Sequence, residues 1–479
     1  MSTVHALLTM LQDRGKRTPA SVRHVLLELA SCCRREDAKA SILADGLGPL
    51  LALATDDQEQ LHTETLEVLL ELLVLLVLDN SQAKASAAKG GALELAIRCL
   101  HGLPMASEGG RRRAKILKRA LELVDLLSHT TESQQHERQT IVVKQVLEVM
   151  TRTTDEDESV LVRATDTLGR FVDGSLERIQ VATNEGAITI LIKLLRLYGE
   201  KGDLKQAACE VLQLMSEAPG TLQMMASQNI VSALCMCLGG EKPAREVEFS
   251  VVRLLFRLAR EARVYGQIVH EGMLPLLFQV IERNSNIREV ISTSCTIIAD
   301  LSDFARECKL DLSPFVKDCK GKVLVLAATC HAQEANLVDC TFRFFVNVSN
   351  NPVDLPQLIN SDTIEGLLSL YVLAGGSGCL AELAGHLVHV ISRLSRSTLE
   401  QFTIREEDIT LPALFLCLRN YHEDIHFTSQ VFAIMSKHWK RQCHNKSVHG
   451  VTGYVSIAIE VLCKAISSSK SWGDQVCMY

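Results

Sequence analysis

His270-Glu271-Gly272-Met273-Leu274-Pro275-Leu276-Leu277 closes one apolar helix, turns at a glycine and opens a second helix on a leucine-rich run. The same arrangement recurs at Ala44-Asp45-Gly46-Leu47-Gly48-Pro49-Leu50-Leu51, at Lys89-Gly90-Gly91-Ala92-Leu93 and at Asn184-Glu185-Gly186-Ala187-Ile188. Degenerate copies stand at Gln228-Asn229-Ile230-Val231, Asp362-Thr363-Ile364 and Ile409-Thr410-Leu411-Pro412-Ala413-Leu414. Turn positions fall at 46, 91, 141, 186, 229, 272, 311, 362, 409 and 450, which are 39 to 51 residues apart. A sustained period of this length specifies stacked helical units, and it displaces the reading of about three compact domains that length alone suggests.

Each period carries three helical patterns. In the fifth, one helix ends over Ala218 to Ala226, a second runs from Ile230 to Leu238, and a third from Arg245 to Glu261. The third spaces Val247, Val251, Leu254, Leu255 and Leu258 on one helical face. Glycine at the turn permits the positive φ of a sharp helix–helix corner. Pro49, Pro275, Pro314 and Pro412 each follow a turn position by three residues. That suits the first turn of the next helix, where a missing N–H costs nothing. One unit cannot bury its own apolar face, so about ten units are expected to share one elongated core of roughly 90–100 Å.

The three-helix unit with a glycine turn between its first two helices resembles the armadillo repeat. The resemblance is strong over 158–285, moderate over 21–100 and 334–420, and weak near 104–150 and 303–330; the two-helix HEAT repeat is the structural alternative. The expected fold is therefore all-α, a right-handed α-solenoid of about ten armadillo-like three-helix repeats. Residues 1–20 are expected to form an N-terminal cap helix, 21–466 a single solenoid and 467–479 a C-terminal tail.

Composition narrows the function. The chain is 47% apolar but only 4% aromatic, so Leu, Val, Ile and Ala supply the core, and a net charge of −7 opposes general nucleic-acid binding. Thr65 to Leu78 is the most apolar stretch, but it carries Glu67 and Glu71 and is too short to cross a bilayer. Thr3 to Leu11 lacks the basic flank of a secretory signal, and a cytoplasmic protein is expected, with a nuclear or cytoskeleton-associated one as the alternative. The 16 cysteines lie mostly in apolar helical runs, as buried free thiols do. Short breaks are read at Met105 to Arg113, Thr153 to Glu158, Gly239 to Lys242 and Gly375 to Gly378. The first carries the Arg111-Arg112-Arg113 patch.

No phosphate loop, dinucleotide fingerprint, His-Glu-x-x-His or Gly-x-Ser-x-Gly is present. The cluster His438, Cys443, His444 and His449 matches no closed zinc-site spacing. Cys308, Cys319, Cys330 and Cys340, with His331, are spaced for helix packing rather than for metal. No enzyme activity, cofactor, metal or small-molecule substrate is expected.

The resemblance implies where a partner would sit. In that family the third helices line a concave groove that holds extended peptides, and an Asn in each repeat hydrogen-bonds the peptide backbone. That position falls here on Glu28, Asp125, Arg170, Leu214, Arg257, Asp300, Asn347, Arg393 and Lys437, so only Asn347 keeps the Asn. No Trp stands one turn earlier, which argues against a receptor for nuclear-localisation signals. Charge replaces the Asn row. Arg253, Arg257 and Arg260 share one helix face, as do His386, His389, Arg393 and Arg396. Arg343, Asn347 and Asn350 form a further stripe, Lys437, Lys440 and Arg441 follow, and Asp300 and Asp303 interrupt the row. Their recurrence in register marks Arg170, Arg253, Arg257, Arg343, Asn347, His389, Arg393 and Lys437 as expected partner contacts. Arginine forks suit carboxylates and phosphates, so the expected ligand is an extended acidic or phosphorylated protein segment. The alternatives are a cytoskeletal or ciliary scaffold or a chaperone adaptor using side surfaces and, more remotely, a binder of nucleic-acid backbone.

Overall fold

The structure, a computed structural model, describes residues 2–13, 18–33, 35–55, 63–78, 80–102, 110–128, 135–153, 158–198, 202–240, 243–309, 321–349, 361–373 and 380–392, with 428, 431, 432 and 459. Among the described residues stand 23 helices and no strand. The chain divides into two compact units, Met1–Leu254 and Leu255–Tyr479.

The first unit opens with α1 (Ser2–Gln12) and α2 (Pro19–Cys32). Repeats follow as α3 (Glu36–Asp45), α4 (Leu47–Thr55) and α5 (Thr63–Val77), then as α6 (Ser81–Lys89), α7 (Ala92–Gly102) and α8 (Gly110–Leu127). Next come α9 (Gln135–Arg152) and α10 (Glu158–Val172), then α11 (Leu176–Asn184), α12 (Ala187–Leu197) and α13 (Gly202–Met215). After α14 (Thr221–Ser227) and α15 (Ile230–Leu238), the unit boundary falls inside α16 (Arg245–Leu258). The second unit holds α17 (Ala262–His270), α18 (Met273–Arg283) and α19 (Arg288–Cys308). It continues with α20 (Gly321–Cys330), α21 (Ala335–Ser349), α22 (Ser361–Leu373) and α23 (Leu380–Ser392).

Two layers run through each unit. The third helices of successive repeats pack side by side, α2 on α5, α5 on α8, α8 on α10 and α10 on α13 in the first, and α19 on α21 and α21 on α23 in the second. The second helices form the other layer, α4 on α7, α7 on α9, α9 on α12 and α12 on α15, with α18 on α20 and α20 on α22 in the second unit. A third helix therefore has apolar neighbours on several sides. On α5, Val68, Leu69, Leu70, Leu72, Leu73, Val74, Leu76 and Val77 are all buried, which is why the apolar stretch at 65–78 is a core helix. Burying each such side chain stabilises the stack by about 1.5–3 kcal/mol before the entropy of ordering is subtracted. Among the described residues no single helix is long and apolar enough to cross a membrane.

The turns follow the expected chemistry with one instructive difference. Gly91, Gly186, Gly272 and Asn229 sit at φ +95°, +87°, +72° and +51°. Gly46 does not; its φ is −103°. A Cβ at Gly46 would stand 2.7 Å from Leu8 Cδ2, so the missing side chain makes room for the cap helix α1, which packs on α2, α3 and α4.

Two local expectations are corrected. Ile141, expected at a turn, lies inside α9, because residues 135–152 contain neither Gly nor Pro and nothing interrupts the helix. That repeat consequently has two helices among the described residues. Arg111-Arg112-Arg113, read as part of a break, forms the first turn of α8. The turn positions 311, 409 and 450, together with Pro314, Pro412 and the tail over 467–479, lie outside the described residues.

Candidate functional site

The third helices turn their polar residues away from the core, and in the first unit those residues are matched helix by helix. α5 presents Glu64, Glu67 and Glu71; α8 answers with Arg112, Lys115 and Arg119. Arg112 meets Glu64 at 2.8 Å, Lys115 meets Glu67 at 3.3 Å and Arg119 reaches Glu71 at 3.5 Å, while Arg23 of α2 closes on Glu64 at 2.5 Å. Basic residues in the first turn of a helix oppose its dipole, and here the α5 carboxylates offset that cost. Between α8 and α10 the polarity reverses. The buried carboxylate of Asp125 accepts a hydrogen bond from Arg170 at 2.6 Å and faces Arg163 at 3.6 Å.

The second unit repeats the device. Asp300 and Asp303 of α19 hold the Arg343 guanidinium of α21 at 2.8 and 2.6 Å, with Asp339 at 3.8 Å. Burial works to lower the Arg343 pKa, but the hydrogen bonds to Asp300 and Asp303 outweigh it and hold the pKa above the ordinary value. Buried Asn347 donates both amide hydrogens, to Ser302 Oγ at 2.9 Å and to Asp303 Oδ1 at 2.7 Å. Tyr265 stacks on Phe304 with ring centroids 4.6 Å apart. Its phenol is pushed above the ordinary range by burial and then by Asp300 and Asp303.

Between α5, α8 and α10 lies an open concavity of about 580 Å³. α5 lines it with Glu67 and Glu71, α8 with Lys115, Lys118, Arg119 and Glu122, and α10 with Ser159, Val162, Arg163 and Asp166. Most of these charges are already joined, Arg119 also to Glu122 at 2.9 Å. Lys118 and Asp166 make no hydrogen bond or ion pair among the described residues. Half-buried Asp166 has its carboxyl pushed above the ordinary value, first by burial. Arg163 and Arg170 pull it down, and Glu210 and Asp125 push it further up.

The expected contact residues therefore fall into three groups. Arg170, Arg343 and Asn347 are engaged with the preceding repeat. Arg253 and Arg257 share α16; Arg253 is exposed with its guanidinium 4.7 Å over the Phe249 ring, and Arg257 is half-buried, as is His389 on α23. Arg393 and Lys437 lie outside the described residues, as do Cys319, His438, Cys443, His444 and His449. The row Glu64, Glu67, Glu71 was missed. Its signal was available: the same intervals separate Arg112, Lys115 and Arg119, each 48 residues later with the opposite sign.

Among the described residues no group of three or more His, Cys, Asp or Glu is placed to hold a metal ion. Burial pushes the thiol of Cys33 up to about 11 and that of Cys99 to about 12. Cys209 and Cys237 share a hydrogen bond that raises Cys209 and lowers Cys237.

No family model and no curated protein sequence matches the chain. Solved structures do. An engineered protein of the Northeast Structural Genomics Consortium is 17% identical with a TM-score of 0.54, the match covering 91% of this chain and 98% of that one. A designed armadillo repeat protein in complex with the peptide (KR)4 is 17% identical with a TM-score of 0.42, covering 53% and 99%. Computationally designed armadillo repeat proteins for modular peptide recognition give 17% and 0.42, covering 52% and 99%. The likeness is one of fold: this chain is an all-α solenoid of armadillo-like repeats.

Proposed function

We propose that this chain is a non-enzymatic scaffold that holds an extended segment of a partner protein along the polar faces of its third helices. The observation that supports this is the side-by-side packing of those helices, which in the first unit frames an open concavity of about 580 Å³ lined by three of them. A trough of this kind suits a polypeptide in extended form better than a small substrate, which needs enclosure. The proposed ligand for the basic set is acidic or phosphorylated, with exposed Arg253 and half-buried Arg257 of α16 as leading contacts; His389, Arg393 and Lys437 are the other expected contacts. Arg170, Arg343 and Asn347 would serve only a ligand able to compete with Asp125, Asp300 and Asp303. A cytoplasmic location goes with this reading.

The test is proximity labelling of the full chain, followed by affinity measurements on a captured partner. Arg253→Glu with Arg257→Glu should weaken binding about ten- to a hundredfold, less so at high salt. Unchanged affinity would overturn the anionic reading and turn attention to scaffolding through the side surfaces.

A further inference from the structure

We propose that the concavity between α5, α8 and α10 recognises a charge-alternating peptide segment, which brings an anionic side chain to Lys118 and a cationic one to Asp166. This deepens the scaffold reading and rests on it.

The inference comes from which charges are already joined. The walls carry four cations, Lys115, Lys118, Arg119 and Arg163, and four carboxylates, Glu67, Glu71, Glu122 and Asp166. Lys115 is joined to Glu67, Arg119 to Glu71 and Glu122, and Arg163 faces Asp125. What remains is one cation on α8 and one carboxylate on α10, both half-buried and neither with a hydrogen-bond partner among the described residues. A wholly acidic segment would lie against four carboxylates, and a wholly basic one against four cations; like charges brought together cost affinity. A segment that alternates in sign reaches Lys118 and Asp166, the two lining charges with no hydrogen bond or ion pair among the described residues, and leaves the existing pairs intact. Asp166 adds a second argument. Burial disfavours its ionised form, Arg163 and Arg170 only partly oppose this, and Glu210 and Asp125 add to it, so the pKa stays raised. An ionised carboxylate that burdens the folded state in a concave surface is the kind of group that a bound cation relieves.

The experiment uses the full chain and three labelled peptides of equal length on one Ala/Gly spacing, carrying alternating Glu and Lys, Glu alone, or Lys alone. Fluorescence anisotropy should give the alternating peptide an affinity at least about tenfold above either single-sign peptide. Lys118→Glu and Asp166→Lys should each cost about tenfold, and the double substitution should recover binding to a peptide with its charge order reversed. The neutral variants Lys118→Gln and Asp166→Asn, checked by circular dichroism, should lose the preference while remaining folded. The proposal is overturned if none of the peptides binds, if affinity ignores both substitutions, or if a single-stranded RNA displaces the alternating peptide more effectively than excess unlabelled peptide. A clear preference for the all-Glu peptide that vanishes with Arg253→Glu and Arg257→Glu would sink this proposal and leave the acidic-segment reading standing.

Discussion

Asp125 and Arg170 occupy the same position of successive third helices and close on each other at 2.6 Å. In the armadillo-like register this is the position expected to offer a donor to a bound peptide. Here the donor faces the preceding repeat instead. Asn347 does the same through Ser302 and Asp303. At Arg170 and Asn347 the row thus joins repeat to repeat, and a ligand contact there would have to displace those bonds.

The Asp125–Arg170 contact carries a stability prediction. The carboxylate is buried, with 5% of its side chain exposed, while the Arg170 side chain is 59% exposed. Removing the arginine leaves a buried charge with Arg163 as its remaining close cation. Arg170→Leu should therefore destabilise the chain by about 1–3 kcal/mol, the mostly exposed arginine limiting the loss. Adding Asp125→Asn should recover part of it. Chemical denaturation of the two single variants and the double variant gives the coupling directly; strictly additive effects would mean that the contact contributes nothing.

Arg343 and Arg253 should behave oppositely, although both read as groove arginines. Arg343→Glu would set a fourth carboxylate among Asp300, Asp303 and Asp339 and remove the cation that joins them. A loss of about 1–3 kcal/mol is expected, since these side chains are 26–38% exposed and solvent screens part of the repulsion. Arg253→Glu sits on an exposed position and should change stability by only about 0.5 kcal/mol. Thermal melts of the two variants decide it, and equal shifts would refute the distinction.

The repeat was legible because glycine and asparagine are the residues that tolerate the corner, and Gly91, Gly186, Asn229 and Gly272 adopt it. Gly46 was placed correctly for a different reason, since its neighbour Leu8 lies 38 residues away and no local rule sees it. The site was less legible. Periodicity says that a stripe is polar, but not whether it faces water or the next helix. Arg343 and Arg253 stand on stripes of the same kind, and only the former has two aspartates 40 and 43 residues earlier in reach. Asp300 and Asp303, read as interrupting a basic row, are the partners that the row requires.

Asp166 predicts a pH dependence with a definite sign. Its carboxyl pKa is raised in the folded state, so its contribution to stability is fully present below the ordinary value of 3.8 and is lost as pH climbs through the raised value. At neutral pH the ionised group burdens the fold. Asp166→Asn should accordingly melt higher than the parent at neutral pH, with the gap shrinking as the pH is brought below 3.8. If the proposed peptide site is right, the same variant binds the alternating peptide more weakly while being the more stable protein. Melting curves of parent and variant at both ends of this range test the sign; a variant that melts lower at neutral pH would show Asp166 to be a structural group.

Cysteine reactivity should separate by burial. Cys308 and Cys330 are exposed, whereas Cys99 is buried between apolar neighbours and its thiol is pushed up to about 12, with Arg98 only partly opposing the burial. The thiolate is the nucleophile, and its fraction falls about tenfold for each unit that the pKa exceeds the pH. At mildly alkaline pH, exposed Cys308 and Cys330 should alkylate in the folded protein while Cys99 reacts only after unfolding, as peptide mass spectrometry would read. The same shift destabilises the fold at high pH. A thiol with a raised folded pKa gives stability that is complete below 9.0 and fades as pH rises toward about 12. Cys99→Ala should therefore flatten the alkaline limb of the stability curve, even though the lost packing lowers the whole curve by about 1 kcal/mol. Alkylation of Cys99 as fast as that of Cys308, or an alkaline limb unchanged in Cys99→Ala, would place this thiol at the surface rather than in the core.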